Sequence, residues 1–201
     1  MTLWRGEPLV LASKSAVRRS MLEAAGIPVV IDPADIDERA AEANSTDAKS
    51  NPVAAARLLA KEKALEVSRR HPGLVLGADQ TLALGERRFS KPADTAAARE
   101  QLKALAGRTH ALHAAAAIAR AGRIEFEAVS SAYLTVRPLS DEFLDAYLAA
   151  AGDRVTRSVG AYQLEGLGVH LFEKIEGDHF TVLGLPLLKL LTHFRATENL
   201  P

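Results

Sequence analysis

Short apolar runs separated by glycine and polar clusters recur through the first half of the chain and alternate with stretches of helical periodicity. Leu9 to Ala12 (LVLA) is the first such run; it ends in Ser13-Lys14-Ser15, and a helical stretch then runs to Ala25 and stops at Gly26. The order is strand, polar loop, helix. Val29 to Ile31 predicts a second strand, followed by the acidic segment Asp35-Ile36-Asp37-Glu38, and the polar residues 43–50 predict a mobile loop. Pro52 suits the first turn of a long helix reaching about Arg70, and His71-Pro72-Gly73 breaks it before the strand LVLGA. Asp79 is therefore expected at a strand's carboxyl end.

A hairpin turn around Gly85 and Glu86, then Lys91-Pro92, precedes a helix begun by Asp94 and ended by Gly107. Thr109 to Ala119 and Arg123 to Val136, joined at Ala121-Gly122, read as the arms of a long antiparallel hairpin. Ser140 caps a helix that Gly152 stops. The glycine-rich stretch Gly160 to Gly168 leads to a strand around Leu171, a turn at Gly177-Asp178 and a closing helix from Pro186. Neither a repeat nor a linker interrupts this mixture, so the expectation is one α/β unit over residues 1–201, built as two lobes.

Twenty-five basic side chains balance 25 acidic ones, so no global field holds a polyanion, and a nucleic acid polymer is not an expected partner. Any anionic ligand must meet a local cluster. The absence of cysteine removes disulfides, thiolate zinc sites and cysteine nucleophiles, and fits a reducing compartment. No apolar run approaches the roughly 20 residues that span a bilayer, and the start lacks a basic leader, so a cytoplasmic protein without a membrane partner is expected.

The loop Ser13 to Arg19 places hydroxyls, backbone amides and two guanidiniums at a helix N-terminus. Helix dipoles disfavour cations there, so the arginines suggest a bound phosphate, against the plainer reading of a solvated pair. Lys63 falls within the apolar stripe of Val53, Ala56, Leu59, Ala60, Ala64 and Val67, and so points at the body of the protein or snorkels out to water. Asp79 is either a turn residue or, since ligands of open α/β sheets collect beyond the strands' carboxyl ends, a site residue. Glu38, Asp79, Lys63 and Lys91 together would make a mixed-charge site for Mg²⁺ and phosphate oxygens. His110 and His113, three apart on a strand, face opposite sides and share no metal.

These blocks, in this order, resemble the Maf family of nucleotide pyrophosphatases. LVLASKSAVRRSMLEAAG is similar to its opening strand, phosphate loop and helix, Asp37-Glu38 to its acidic pair, Lys61-Glu62-Lys63-Ala64 to its lysine helix, and Gly77-Ala78-Asp79-Gln80 to its active-site strand. Lys91-Pro92, Gly107 to His110, Gly160-Ala161-Tyr162 through Glu165-Gly166, Glu176-Gly177-Asp178 and Val182 to Leu187 continue the match across nearly the whole chain. The resemblance implies a Maf/inosine-triphosphatase-like α/β fold, a mixed sheet with a long antiparallel hairpin and two lobes around a central cleft. It also implies hydrolysis of a nucleoside triphosphate to monophosphate and pyrophosphate, a divalent cation (Mg²⁺ or Mn²⁺), and a homodimer. Asp79 matches the catalytic acid, Ser13, Arg18, Lys63 and Lys91 the substrate-handling positions, and Glu38 with Asp79 the metal-handling ones. Alanine replaces the usual proline at 16, and Arg157-Ser158 replace the acidic-lysine pair before Gly160.

Val17, Gln80 and Glu165 match positions where family members differ, and at two of the three, Gln80 and Glu165, the chain resembles the subgroup acting on 7-methyl-GTP. A carboxylate at 165 accepts hydrogen bonds from a base edge that presents donors, which suits guanine or cytosine above thymine. Val17 offers no aromatic plane to a cationic ring; Tyr162 or Phe89 would have to supply one. Against a pyrophosphatase stand two other expectations: a nucleotide-binding regulator of cell division that needs no turnover, and an α/β phosphohydrolase releasing orthophosphate.

Overall fold

The computed structural model describes residues 3–201; the first two positions of the expected single span lie outside the described residues. The chain runs β1 (Leu9–Leu11), α1 (Ala16–Ala24), β2 (Val29–Ile31), α2 (Glu38–Ala43), α3 (Thr46–Ser50), α4 (Pro52–Ser68), β3 (Val75–Leu84) and β4 (Arg87–Phe89). It continues with α5 (Thr95–Leu105), β5 (Thr109–Arg120), β6 (Arg123–Val136), α6 (Asp141–Ala151), three short 3₁₀ turns, β7 (Phe172–Glu176), α7 (His179–Val182) and α8 (Leu187–Ala196). Seven strands form a mixed sheet in the order β2-β1-β3-β5-β6-β7, with β4 on β3. β1 pairs parallel with β2 and β3, whereas β3–β4 and β6–β7 are antiparallel. The α/β class, the mixed sheet and the long β5–β6 hairpin are those expected from the sequence.

The described residues divide into two compact units. The first holds the chain up to Gln80 with His113–Ser130 and His179–Pro201, and the second Thr81–Leu112 with Ser131–Asp178. In the first unit, β5 is buried on both faces and uses alternate residues for each. Ala115, Ala117 and Ala119 pack on Ala56, Ala60 and Ala64 of α4. Ala116 and Ile118 join Leu9, Leu11, Leu76, Leu190 and Phe194 in the core on the other side. Small side chains on the α4 side let that helix lie close to the sheet. In the second unit, Tyr162 is buried with its hydroxyl 2.6 Å from Nε2 of His110, and its ring meets Phe172 edge-on. Burial pushes His110 down to about 4, so the imidazole stays neutral.

Two sequence expectations need correction. Residues 43–50 are not a loop: Ser45 accepts a hydrogen bond from the amide of Ala48 at 3.2 Å and starts α3, and Ala48 is fully buried. Polar composition hid a cap. Asp79 is not at a strand's end, because pairing with β4 carries β3 on to Leu84. The parallel pairing with β1 does stop early, at the Leu11–Leu76 register, so Asp79 lies three residues beyond the end of its parallel neighbour. The single turn of α7 carries no sequence signal, since four residues are too few to show a period. Among the described residues, no helix is long and apolar enough to cross a membrane.

Candidate functional site

Close approach of α4 to β3 creates the site. A Cβ on Gly77 would lie 2.1 Å from the carbonyl oxygen of Ala60 and 2.5 Å from the amide nitrogen of Ala64, so only glycine fits against this helix. Lys63, on the same stretch of α4, therefore reaches Asp79, two residues beyond Gly77 and on the same face of the strand. Its Nζ lies 2.7 Å from Oδ1 of Asp79 and 2.6 Å from Oε1 of Glu38, the first residue of α2. The side chains of Lys63 and Asp79 keep only 13% and 14% of their exposure, against 51% for Glu38. Lys63 does not snorkel. Burial pushes the Asp79 carboxyl above the ordinary carboxylate range; Lys63 and Arg18 pull it back, and Glu38 adds to the rise.

Arg18 approaches from α1. Ser15 caps that helix by accepting from the amide of Arg18 at 3.3 Å, and the guanidinium then turns back onto the protein. Nε donates to the carbonyl of Gly184 at 2.8 Å; Nη1 donates to the carbonyl of Ala78 at 2.9 Å and to Oγ of Ser13 at 3.1 Å. Desolvation lowers its pKa while Asp79 and Glu38 hold it up, and an arginine stays charged under such conditions. The expected phosphate loop is thus an arginine tied by three bonds to protein oxygens, with no protein hydrogen bond at Nη2 among the described residues. Oγ of Ser13 also accepts from the amide of Ser15 at 3.3 Å, which leaves its own hydrogen to donate.

The site therefore presents two cations, Arg18 and Lys63, around two carboxylates, Asp79 and Glu38, with no net charge. Such a cluster holds an anion of high charge only with added positive charge. The point on which the carboxylate oxygens of Asp79 and Glu38 converge is Nζ of Lys63, and among the described residues no group of three or more His, Cys, Asp or Glu side chains that could hold a metal ion is present.

The sequence profile of the family described as Maf-like protein matches residues 8–197. The chain belongs to this family. A protein of Bradyrhizobium diazoefficiens called nucleoside triphosphate pyrophosphatase is 58% identical over 200 residues, covering 98% of each chain. One of the same name from Rhodopseudomonas palustris is 59% identical, covering all of this chain and 98% of its own. A Mesorhizobium japonicum protein called 7-methyl-GTP pyrophosphatase is 52% identical, covering 94% of this chain and 96% of its own.

The Maf-like motifs distribute over both units. Ser13, Val17, Arg18, Glu38, Lys63, Asp79 and Gln80 fall in the first unit, and Lys91 and Glu165 in the second. Lys91 is exposed two residues after β4, and Glu165 is exposed in the 3₁₀ region. Val17 is half-buried against the core of the first unit. Gln80 donates both amide hydrogens to the carbonyls of Thr181 and Val182, at 3.0 Å each. Tyr162, considered as a plane for a cationic base, is instead buried in its own aromatic cluster. Sequence reasoning missed Gly77 and Gly184, although both sit in motifs; a glycine inside an apolar strand was the available signal for the first.

Proposed function

We propose that this chain hydrolyses nucleoside triphosphates to the monophosphate and pyrophosphate, with Asp79 orienting or deprotonating the attacking water. The observation that carries the reading is the buried Asp79 carboxylate held by Lys63 beside the Arg18 guanidinium. A carboxyl whose pKa burial has raised is a better proton acceptor near neutral pH than an ordinary aspartate. The names of the relatives support the same reaction. Incubating the pure protein with triphosphates and Mg²⁺ and identifying the phosphate released tests it: pyrophosphate supports the reading, and orthophosphate or no product overturns it. A cell-division regulator without turnover has no need of a water-activating carboxylate.

A triphosphate brings about four negative charges to a site of no net charge, so the reaction depends on a divalent cation held by Glu38 and Asp79. When bound, the cation supplies charge neutralisation at the phosphate oxygens. The residues do the rest: Nη2 of Arg18, the hydroxyl of Ser13 and the amides at the start of α1 hold phosphate oxygens, and Lys63, shared between two carboxylates, can pass to a phosphate. Lys91 adds a further phosphate contact on the strength of its motif. The protein acts in the cytoplasm as a homodimer, which light scattering would register.

Lys63→Met tests the lysine, since methionine fills the apolar stripe without the charge. Loss of a charge-assisted contact predicts a fall in kcat/KM of about 10–100-fold, with the fold retained by circular dichroism. Unchanged kinetics would make Lys63 a structural ion-pair partner only.

The preferred base is that of 7-methyl-GTP or CTP, read by Glu165. Guanine offers N1–H and an amine, and cytosine an amine, to a carboxylate that can only accept; thymine and uracil offer a single donor. Glu165→Gln is expected to shift kcat/KM ratios toward dTTP and UTP. A wild type that prefers dTTP in a side-by-side panel refutes this preference and leaves the pyrophosphatase reading in place.

A further inference from the structure

Three consecutive residues of β3 serve three different neighbours. Ala78 gives its carbonyl to Arg18, Asp79 its carboxylate to Lys63, and Gln80 its amide to α7. Side chains alternate across a strand, so Asp79 faces α4 while Gln80 faces the opposite side, where α7 ends. The last carbonyls of a helix have no intrahelical partner and must find one elsewhere. In α7 the carbonyl of His179 receives the amide of Leu183, and that of Phe180 the amide of Leu185. The carbonyl of Thr181 receives the amide of Gly184, and Nε2 of Gln80 adds a second donor to it and serves the carbonyl of Val182, from a strand about a hundred residues away in sequence. Two carbonyls on one amide group also decide its orientation, since only the nitrogen can donate.

Gln80 thus caps the C-terminus of α7 together with the amide of Gly184, and both sets of bonds hold the turn that leaves this helix. Gly184 turns the chain at φ +97°, and its carbonyl receives Nε of Arg18. A Cβ on Gly184 would come within 3.3 Å of Oε1 of Gln80 and 3.5 Å of Nη2 of Arg18, so these three groups are packed together. Nε and both hydrogens of Nη1 are thereby committed, and the direction of Nη2, the donor left for a ligand, is set by where the Ala78, Gly184 and Ser13 oxygens stand.

We propose that Gln80 is a positioning residue, which caps α7 and through the Gly184 carbonyl aims Arg18 at the phosphate chain, and not a reader of the base. This rests on the proposed triphosphate substrate but transfers Gln80 from base selection to phosphate binding. With both amide hydrogens used inside the protein, Gln80 has no donor to offer a base.

The test separates the two roles with a ligand that has no base. Inorganic tripolyphosphate binding, by calorimetry with Mg²⁺, and kcat/KM for 7-methyl-GTP, CTP, dTTP and UTP are measured for wild type and Gln80→Met, which keeps the length of the side chain but donates nothing. The expected result is a loss of about tenfold in tripolyphosphate affinity, an equal loss in kcat/KM for every nucleotide, and faster hydrogen exchange at residues 183–187. Tripolyphosphate affinity at the wild-type level, or a change of more than about threefold in the ratio between bases, overturns the proposal. Should Gln80→Met fail to fold, Gln80→Ala, which only removes atoms and donates nothing, is measured in its place. If wild type binds tripolyphosphate but releases no pyrophosphate from any nucleotide, the proposed function fails while the calorimetry still decides the role of Gln80.

Discussion

Asp79→Asn should fold, bind nucleoside triphosphate and turn it over about 10²–10⁴-fold more slowly than wild type, the usual cost of losing a positioned base, with more lost if cation binding also weakens. Asparagine has the same shape and keeps an oxygen for Nζ of Lys63, now 2.7 Å from Oδ1, so the packing between α4 and β3 has no reason to change. What disappears is the charge. Burial disfavours that charge in the folded protein, as the raised pKa of Asp79 records, so the neutral side chain brings no desolvation penalty and the variant should melt no lower than wild type. A functional residue is recognisable by this combination, in which activity falls and stability does not. Single-turnover rates, binding of a non-hydrolysable analogue and a thermal melt measure the three quantities on one preparation. Hydrolysis near the wild-type rate removes Asp79 from the chemistry; normal chemistry with a collapsed melting temperature makes it a structural ion-pair partner.

Much of this site is legible in the sequence because it depends on local signals. The Leu9 run followed by polar residues and a helix predicts the β1–α1 loop, and the position of Lys63 within an apolar stripe narrows it to pointing inward or snorkelling, of which the structure shows the first. What it meets there is out of reach, because Lys63, Glu38 and Asp79 come from separate elements and no periodicity in one reports a residue on another. The family resemblance supplies that grouping by motif, and the structure gives it distances. Arg18 looks like a free phosphate ligand in the sequence, which shows charge but not carbonyl oxygens; three of its N–H groups are consumed by Ser13, Ala78 and Gly184. The partners of Gln80 are hidden for a similar reason, as they are backbone atoms of a helix too short to be seen. The second unit is least legible around the glycine-rich stretch, where positive φ at Gly160 and Ala161 sets the backbone and residue type alone gives no path.

Gly77→Ala should be the most destabilising single methyl in the first unit, and should lose activity out of proportion to stability. The added Cβ would sit 2.1 Å from the Ala60 carbonyl oxygen, 2.5 Å from the Ala64 nitrogen and 2.9 Å from the Ala64 Cβ, and two of these three atoms are backbone, which no rotamer change can move. Relief therefore requires α4 as a whole to withdraw from β3. That opens the seam where Ala56, Ala60 and Ala64 pack on Ala115, Ala117 and Ala119, small side chains that cannot reach out to refill it. Overpacking commonly costs about 1–3 kcal/mol, and a clash with backbone belongs at the upper end or beyond, equivalent to a fall in Tm of roughly 6–12 °C for a chain of this size. Lys63 travels with α4, so its ammonium leaves Asp79 and Glu38, and kcat/KM measured well below the new Tm should still be down by about tenfold or more. Gly73→Ala is the control: a Cβ there meets nothing within 4 Å, and the substitution should leave Tm unchanged or slightly raised and kinetics unaltered. If Gly77→Ala melts with wild type, α4 and β3 are not in the contact described; if it melts low yet retains full activity in its folded range, the distance from Lys63 to Asp79 does not govern turnover.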